Sequence, residues 1–396
     1  MTHPILEPGR IGPLALPNRV IKTATYEGMT PGGRVSDALV RFHAAQAAAG
    51  VGLTTVAYGA VAEHGRTFAD QLLVDAEALP GLSRLAGAVH EAGGRVSLQL
   101  AHCGGFSKHQ APAGPSPGPN LYGLAYGFPW IRSMSPDDIR RVVTQFAAAA
   151  DVAVRAGFDA VEVHCGHGYL LSQFLSPAVN RRRDAWGGDL QGRLRLPVAV
   201  VRAVSEAVGA RAAVLAKINL DDGVRGGSSP DDAVIISRAL VEAGADALVT
   251  SGGLVQRSAF FLMRGGVPIR RMAAVEPSLL QRVAMRAFAP FVVRGWPYES
   301  GFFLEPGRRV VAAVDAPVVA LGGMDSAAVM REARAAGFGF VALGRALLAD
   351  PMFVRRLEAG EDVVSRCTHC NDCVAAMDQG GVRCTLTEGE SSSASR

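Results

Sequence analysis

Ala156-Gly-Phe-Asp-Ala-Val-Glu-Val-His-Cys-Gly-His-Gly-Tyr169 holds a helix end, a strand and a group of polar side chains in a single line. Glycine just past a helix accepts the left-handed backbone that stops it, so Ala156-Gly157 reads as a helix terminus. The run Asp159 to Val163 then reads as a strand. His164, His167 and Tyr169 fall where that strand ends and its loop begins.

The same phrase recurs along the chain. Ala49-Gly50 precedes Leu53 to Ala57, Ala92-Gly93 precedes Arg95 to Leu100, Ala243-Gly244 precedes Ala247 to Thr250, and Ala336-Gly337 precedes Phe340 to Leu343. Looser versions lead into Ala213 to Ile218 after Gly209 and into Val318 to Leu321 after Asp315-Ala-Pro317. With Arg19 to Lys22 as the first, eight strands are expected. Ser135-Pro-Asp-Asp138 and Ser229-Pro-Asp-Asp232 each offer an N-cap serine, proline at the first helical position and acid in the first turn. Alternating strands and helices in this number predict an α/β fold, a closed (β/α)8 TIM barrel. The rival doubly wound sheet lacks support, because no Gly-x-Gly-x-x-Gly follows an early strand.

Two stretches interrupt the rhythm, residues 104–134 and 254–301. Long βα-loop insertions on the catalytic face of a barrel form pocket walls and lids. Phe128, Trp130, Phe260 and Phe261 are candidate apolar contacts there, with plain packing as the alternative for each. The barrel is expected over residues 1–360 and a short Cys-rich C-terminal tail over 361–396, its polar end Glu390 to Arg396 disordered.

Composition excludes several classes. Hydrophobic residues make up 49%, charged residues 19% and aromatics 6%, as in a globular protein. The formal charge of +4 is small for this length and no basic run interleaves with aromatics, so no nucleic acid partner is expected. Glu7, Pro4 and Pro8 interrupt the start where a signal peptide needs an apolar core, and no membrane-length apolar run occurs. A cytoplasmic protein without membrane contact is expected.

In a barrel, residues at the carboxyl ends of the strands converge. Tyr26 and Glu27 follow the first strand, Gln99 and His102 the third, and His164, His167 and Tyr169 the fourth. Lys217 and Asn219 stand at the fifth, Ser251, Gly252 and Gly253 at the sixth, and Gly322-Gly323 and Gly344-Arg345 close the last two. A neutral imidazole donates or accepts a hydrogen bond and a phenol gives up a proton, which suits acid catalysis at a carbonyl-bearing substrate. A structural histidine pair beside a buried tyrosine is the alternative. Glycine N–H groups with an arginine suit a phosphate, and tight turns are their alternative.

Leu16 to Lys22, Gln99 to Gly104, the segment 164–195, Phe302 to Glu305, Ala320 to Gly323 and Val341 to Ala346 together resemble the old yellow enzyme family of FMN-dependent NAD(P)H oxidoreductases. The resemblance covers residues 4–358 and implies FMN, with NADH or NADPH as reductant. It implies that Gln99 bonds the flavin pyrimidine edge and that Lys217 stands beside N1 and the C2 carbonyl, where a cation stabilises reduced flavin. Gly323, Gly344 and Arg345 match the phosphate corner, and Thr25, Tyr26, Ser251, Gly252 and Gly322 join the cofactor site. His164 and His167 match the pair that binds a substrate carbonyl, and Tyr169 the proton donor. The substrate so implied is a small enone-like molecule, and a homo-oligomer is a further expectation.

Three departures bear on flavin potential, pocket volume and the signature's supporting loop, and through them on substrate. Tyr26 stands where relatives carry a small residue near flavin C4, Gln191-Gly192 replaces a glutamate and asparagine, and Gly105 replaces a common arginine.

Cys367-Thr-His-Cys370-Asn-Asp-Cys373, with Cys384, is spaced to hold an iron–sulfur cluster or zinc. It is similar to the cluster segment of the dienoyl-CoA reductase and trimethylamine dehydrogenase branch. A metal-free or redox-sensitive tail is the alternative, and His369 is a further zinc ligand candidate.

The reading is an FMN enzyme that reduces an alkene conjugated to a carbonyl. The same site run oxidatively makes a dehydrogenase or aromatising enzyme. A non-redox lyase using Lys217 as a Schiff base, or an inactive metal-binding barrel, are readings from other classes.

Overall fold

A computed structural model describes residues 3–377 and 379–386. The expected disorder of Glu390 to Arg396 falls outside the described residues. All eight strands form: β1 (Val20–Lys22), β2 (Leu53–Ala60), β3 (Arg95–Ala101), β4 (Ala160–Cys165), β5 (Ala213–Asn219), β6 (Ala247–Ser251), β7 (Val318–Ala320) and β8 (Phe340–Leu343). Each pairs in parallel with its sequence neighbours, and β8 closes on β1 through Val341 and Val20. The expected TIM barrel is therefore present.

One helix of the outer ring follows each strand: α1 (Asp37–Ala48), α2 (Leu79–Glu91), α3 (Pro136–Arg155), α4 (Leu190–Val208), α5 (Pro230–Glu242), α6 (Leu304–Val311), α7 (Ala327–Ala335) and α8 (Phe353–Glu358). Ser135 and Ser229 cap α3 and α5 with full capping boxes, each serine accepting the N–H of the aspartate three residues on. These caps fix where the third and fifth crossovers turn back along the barrel.

Nearly every strand residue is buried, because helices cover the outer face and side chains fill the inner one. The sequence reading missed one element. Gly9–Ile11 and Leu14–Leu16 form an antiparallel hairpin whose Ile11, Leu14 and Leu16 join the interior cluster of Ile21, Leu53, Leu215 and Phe340. It plugs the barrel at the end away from the polar residues, and its signal was the Gly12-Pro13 turn between apolar positions.

The two insertions meet above the opposite end. Residues 104–134 build a small sheet from Ala113–Gly114, Gly118–Pro119 and Trp130–Ser133, and 254–301 builds helices Val255–Leu262, Ile269–Val275 and Leu279–Val292. Lys108 Nζ pairs with Glu276 Oε2 at 3.2 Å and the Tyr126 hydroxyl donates to Glu276 Oε1, which ties one insertion to the other. Among the described residues no helix is long and apolar enough to cross a membrane.

Candidate active site

A cavity of about 1170 Å³ opens at the carboxyl ends of the strands, under the two insertions. Its lining includes Thr25, Tyr26, Gln99, His164, His167, Tyr169, Lys217, Gly252, Gly322, Gly323, Gly344 and Arg345. Ser251 stands behind this surface and holds His167.

The floor is polar. Glu162 Oε1 in β4 accepts from Gln99 Nε2 of β3 at 2.6 Å and pairs with Lys217 Nζ of β5 at 2.9 Å. Lys217 also donates to Thr23 Oγ1 at 3.2 Å. All of these groups are buried, so each polar atom needs the partner it has. A second buried pair lies alongside: Lys22 Nζ meets Glu27 Oε1 at 2.5 Å, and Glu27 Oε2 accepts the Ala57 N–H at 3.0 Å.

The histidines stand on one wall. Gly166 N–H donates to His164 Nδ1 at 3.3 Å, so Nδ1 is the bare nitrogen and Nε2 carries the hydrogen. His167 sits in the left-handed region at φ 60°, held by its own N–H to Asn219 Oδ1 at 3.0 Å. Its Nε2 meets Ser251 Oγ at 2.6 Å. The two rings touch edge to face at 4.8 Å between centroids. Burial, with Lys217 adding to it, pushes His167 down to about 3; burial and the neighbouring His167 push His164 well below its ordinary value. Both are uncharged hydrogen-bonding groups at neutral pH.

Tyr169 packs at 4.7 Å from His164 and at 5.1 Å, edge on, from Tyr58, and burial raises its phenol above the ordinary value. Aromatic rings continue from it. Phe106 lies 5.6 Å from Tyr169 and 4.2 Å from Tyr122, while Tyr26 bridges Tyr58 at 5.6 Å and Phe68 at 5.4 Å. Tyr58 lies where the β2–β3 register shifts between Val56 and Gly59, and it lines the cavity.

At the far end, Gly322 and Gly323 have φ of 99° and 74°, and a Cβ at Gly323 would fall 2.4 Å from the Gly301 nitrogen. Only glycine fits there. The short helix Arg345–Ala349 begins at Gly344 without a side-chain cap, so its first N–H groups stay open beside the cavity. Arg345 Nη1 donates to Asn371 Oδ1 at 2.6 Å and to the Arg264 carbonyl at 2.9 Å.

The tail therefore packs against this end. Cys367, His369 and Cys373 line the main cavity, and the His369 ring stacks on Tyr298 at 3.3 Å. All four tail cysteines line a second, small cavity of about 20 Å³ with Arg345 and Leu348. Burial raises the Cys367 thiol and pushes Cys373 up to about 11. Among the described residues no three His, Cys, Asp or Glu side chains group as ligands of one metal ion. His369, the further zinc ligand candidate, is stacked on the Tyr298 ring.

Some expected residues lie elsewhere. His102 is buried, accepts the Gly104 N–H at 2.9 Å and does not line the cavity. Of the four candidate apolar contacts, Phe260 lines the cavity, Phe261 packs on Trp296 and Phe303, and Trp130 is 61% exposed. Phe128 does not line it. Glu162 and Tyr58 were missed. A lone acid inside an apolar strand was the signal for Glu162, since a buried carboxylate requires partners.

The family profile described as NADH:flavin oxidoreductase / NADH oxidase matches residues 4–258. The chain belongs to that family. A 4,4'-dithiodibutanoate disulfide reductase of Rhodococcus erythropolis is 39% identical to this flavin oxidoreductase over 394 residues, covering 98% of this chain and 96% of the relative. An NADH oxidase of Thermoanaerobacter brockii is 29% identical over 98% of this chain, which spans 56% of that protein's length. The structure of the old yellow enzyme homologue from Zymomonas mobilis shares the fold at a TM-score of 0.72 and 20% identity, over 92% of this chain and 95% of that one. FMN and a reduced nicotinamide are the cofactors of this family, and the cavity fits FMN: buried hydrogen-bonding groups at its floor, open N–H groups and side-chain-free glycines at one end, and an apolar wall.

Proposed function

We propose that this oxidoreductase uses NADH or NADPH to reduce a small molecule whose C=C bond is conjugated to a carbonyl. The observation that carries the reading is the meeting of two uncharged histidines and Tyr169 on one wall of the cavity. FMN, when bound, would supply the hydride chemistry that links a reduced nicotinamide to the alkene. Gln99 and Lys217 would hold its pyrimidine edge, with Thr25, Tyr26 and Gly252 around it and Ser251 behind, holding His167. Gly322, Gly323, Gly344 and Arg345 would take its phosphate.

His164 and His167 hydrogen-bond the carbonyl oxygen, where negative charge grows as the reaction proceeds. Neutral imidazoles donate there without carrying a charge into a dry site. Tyr169 then gives its hydroxyl proton to the α-carbon. Tyr26 narrows the cavity over the flavin position and favours flat substrates that lie against Phe68 and Tyr58.

A second reading, disulfide reduction, is favoured by the Rhodococcus erythropolis relative and its name. Two electrons cleave the S–S bond and two protons complete the thiols, and the same Tyr169 can supply one of them. Steady-state turnover of cyclohexenone against a dialkyl disulfide, with NADH and NADPH in turn, separates the readings. Enone turnover abolished in Tyr169→Phe supports the first, and disulfide turnover alone sinks it.

The tail cysteines are proposed to hold an iron–sulfur cluster, supported by their spacing and by all four lining one small cavity. Absent iron and acid-labile sulfide in anaerobically purified protein would refute this. A cytoplasmic location and self-association rest on the sequence alone; light scattering tests the latter.

A further inference from the structure

Glu162 does not line the cavity, yet it is bonded to two residues that do, Gln99 and Lys217. We propose that Glu162 is the positioning residue that fixes the Gln99 amide and sets the positive field Lys217 presents to the flavin. The inference rests on FMN occupying this cavity.

An ionised carboxylate only accepts, so Gln99 must turn its amide nitrogen to Glu162, and its carbonyl oxygen is left to face the cavity. Replace that carboxylate and nothing prevents the amide from turning over. The same oxygen also meets Lys217, whose remaining contact is the neutral Thr23 hydroxyl.

Glu162 is thus the counter-charge of the cation nearest the flavin, and it lies on the side away from the cavity. The neighbouring lysine does not share this role, because Lys22 is matched by Glu27 and does not line the cavity. With Glu162 ionised, the field at the cavity is that of a pair rather than of a bare cation. That tempers the preference for the reduced, anionic flavin.

The test is the two-electron potential of bound FMN, measured by dye-linked anaerobic reduction of the holoenzyme, in a double-mutant cycle. Glu162→Gln should raise the potential by about 30 mV, a tenfold shift of the two-electron equilibrium toward reduced flavin. In a Lys217→Gln background the carboxylate, buried without its cation, takes up a proton and carries no charge, so the same substitution should leave the potential unmoved. Glu162→Asp keeps the charge but shortens its reach, should shift the potential the same way by less, and decides the matter alone where unpaired Lys217 prevents folding. An unchanged or lowered potential in Glu162→Gln or Glu162→Asp overturns the proposal, as does an undiminished shift in the Lys217→Gln background. A parent protein that binds no FMN overturns it as well, through the cofactor assignment.

Discussion

Tyr169 is a phenol kept protonated by burial, and the two histidines beside it are kept neutral by the same cause. Tyr169→Phe should lower the rate of enone reduction by about 10²–10⁴, the usual worth of a positioned acid, while reduction of the flavin by NAD(P)H stays intact. Stopped-flow measurement of the two half-reactions checks this. The histidines carry a linkage prediction. His167 titrates near 3 in the folded protein and near 6.5 unfolded, so the unfolded chain binds the extra proton between these values. Their contribution to stability is intact above about pH 6.5 and is lost as pH falls toward 3. His167→Asn should flatten the acid limb of a Tm-against-pH curve; an unchanged limb would contradict the burial argument. These side chains were legible because they ended a strand in a recognisable phrase. Their partners were not. Ser251 and Asn219, which fix His167, come from strands β6 and β5, and only the closed barrel brings them within 3.0 Å.

The barrel elements were legible because glycine stops and proline-serine starts are local chemistry. Ser135→Ala removes the cap of α3 and should cost about 1 kcal/mol, read from chemical denaturation. The insertions were legible only as interruptions, since their structure comes from contacts between distant segments. Glu276 takes Lys108 and Tyr126 from the other insertion, 168 and 150 residues away. Glu276→Ala leaves Lys108 with no carboxylate and should open this clasp. Limited proteolysis within 254–301 should then run several-fold faster, with global stability reduced by about 1–3 kcal/mol. Equal cleavage rates would show that the helices of the insertion hold themselves in place. Tyr298 and His369 make the same point for the tail, which sequence spacing described as an appendage and which stacks against the cofactor end of the cavity.

For the whole molecule, the barrel supplies what no local stretch contains: a buried charged floor from four strands, a donor wall from one strand and its loop, and a glycine end from the last two. The hairpin Gly9–Leu16 shuts the opposite end, so the polar face alone is open to ligands. Substrate identity stayed illegible because the walls that select it come from the insertions. The most direct test is the visible absorption spectrum of the purified protein, recorded anaerobically before and after NADH or NADPH, then after cyclohexenone. A flavin band that bleaches with the nicotinamide and returns with the enone is the predicted result. A protein that stays colourless after reconstitution with FMN, or a flavin that no nicotinamide reduces, would contradict the account.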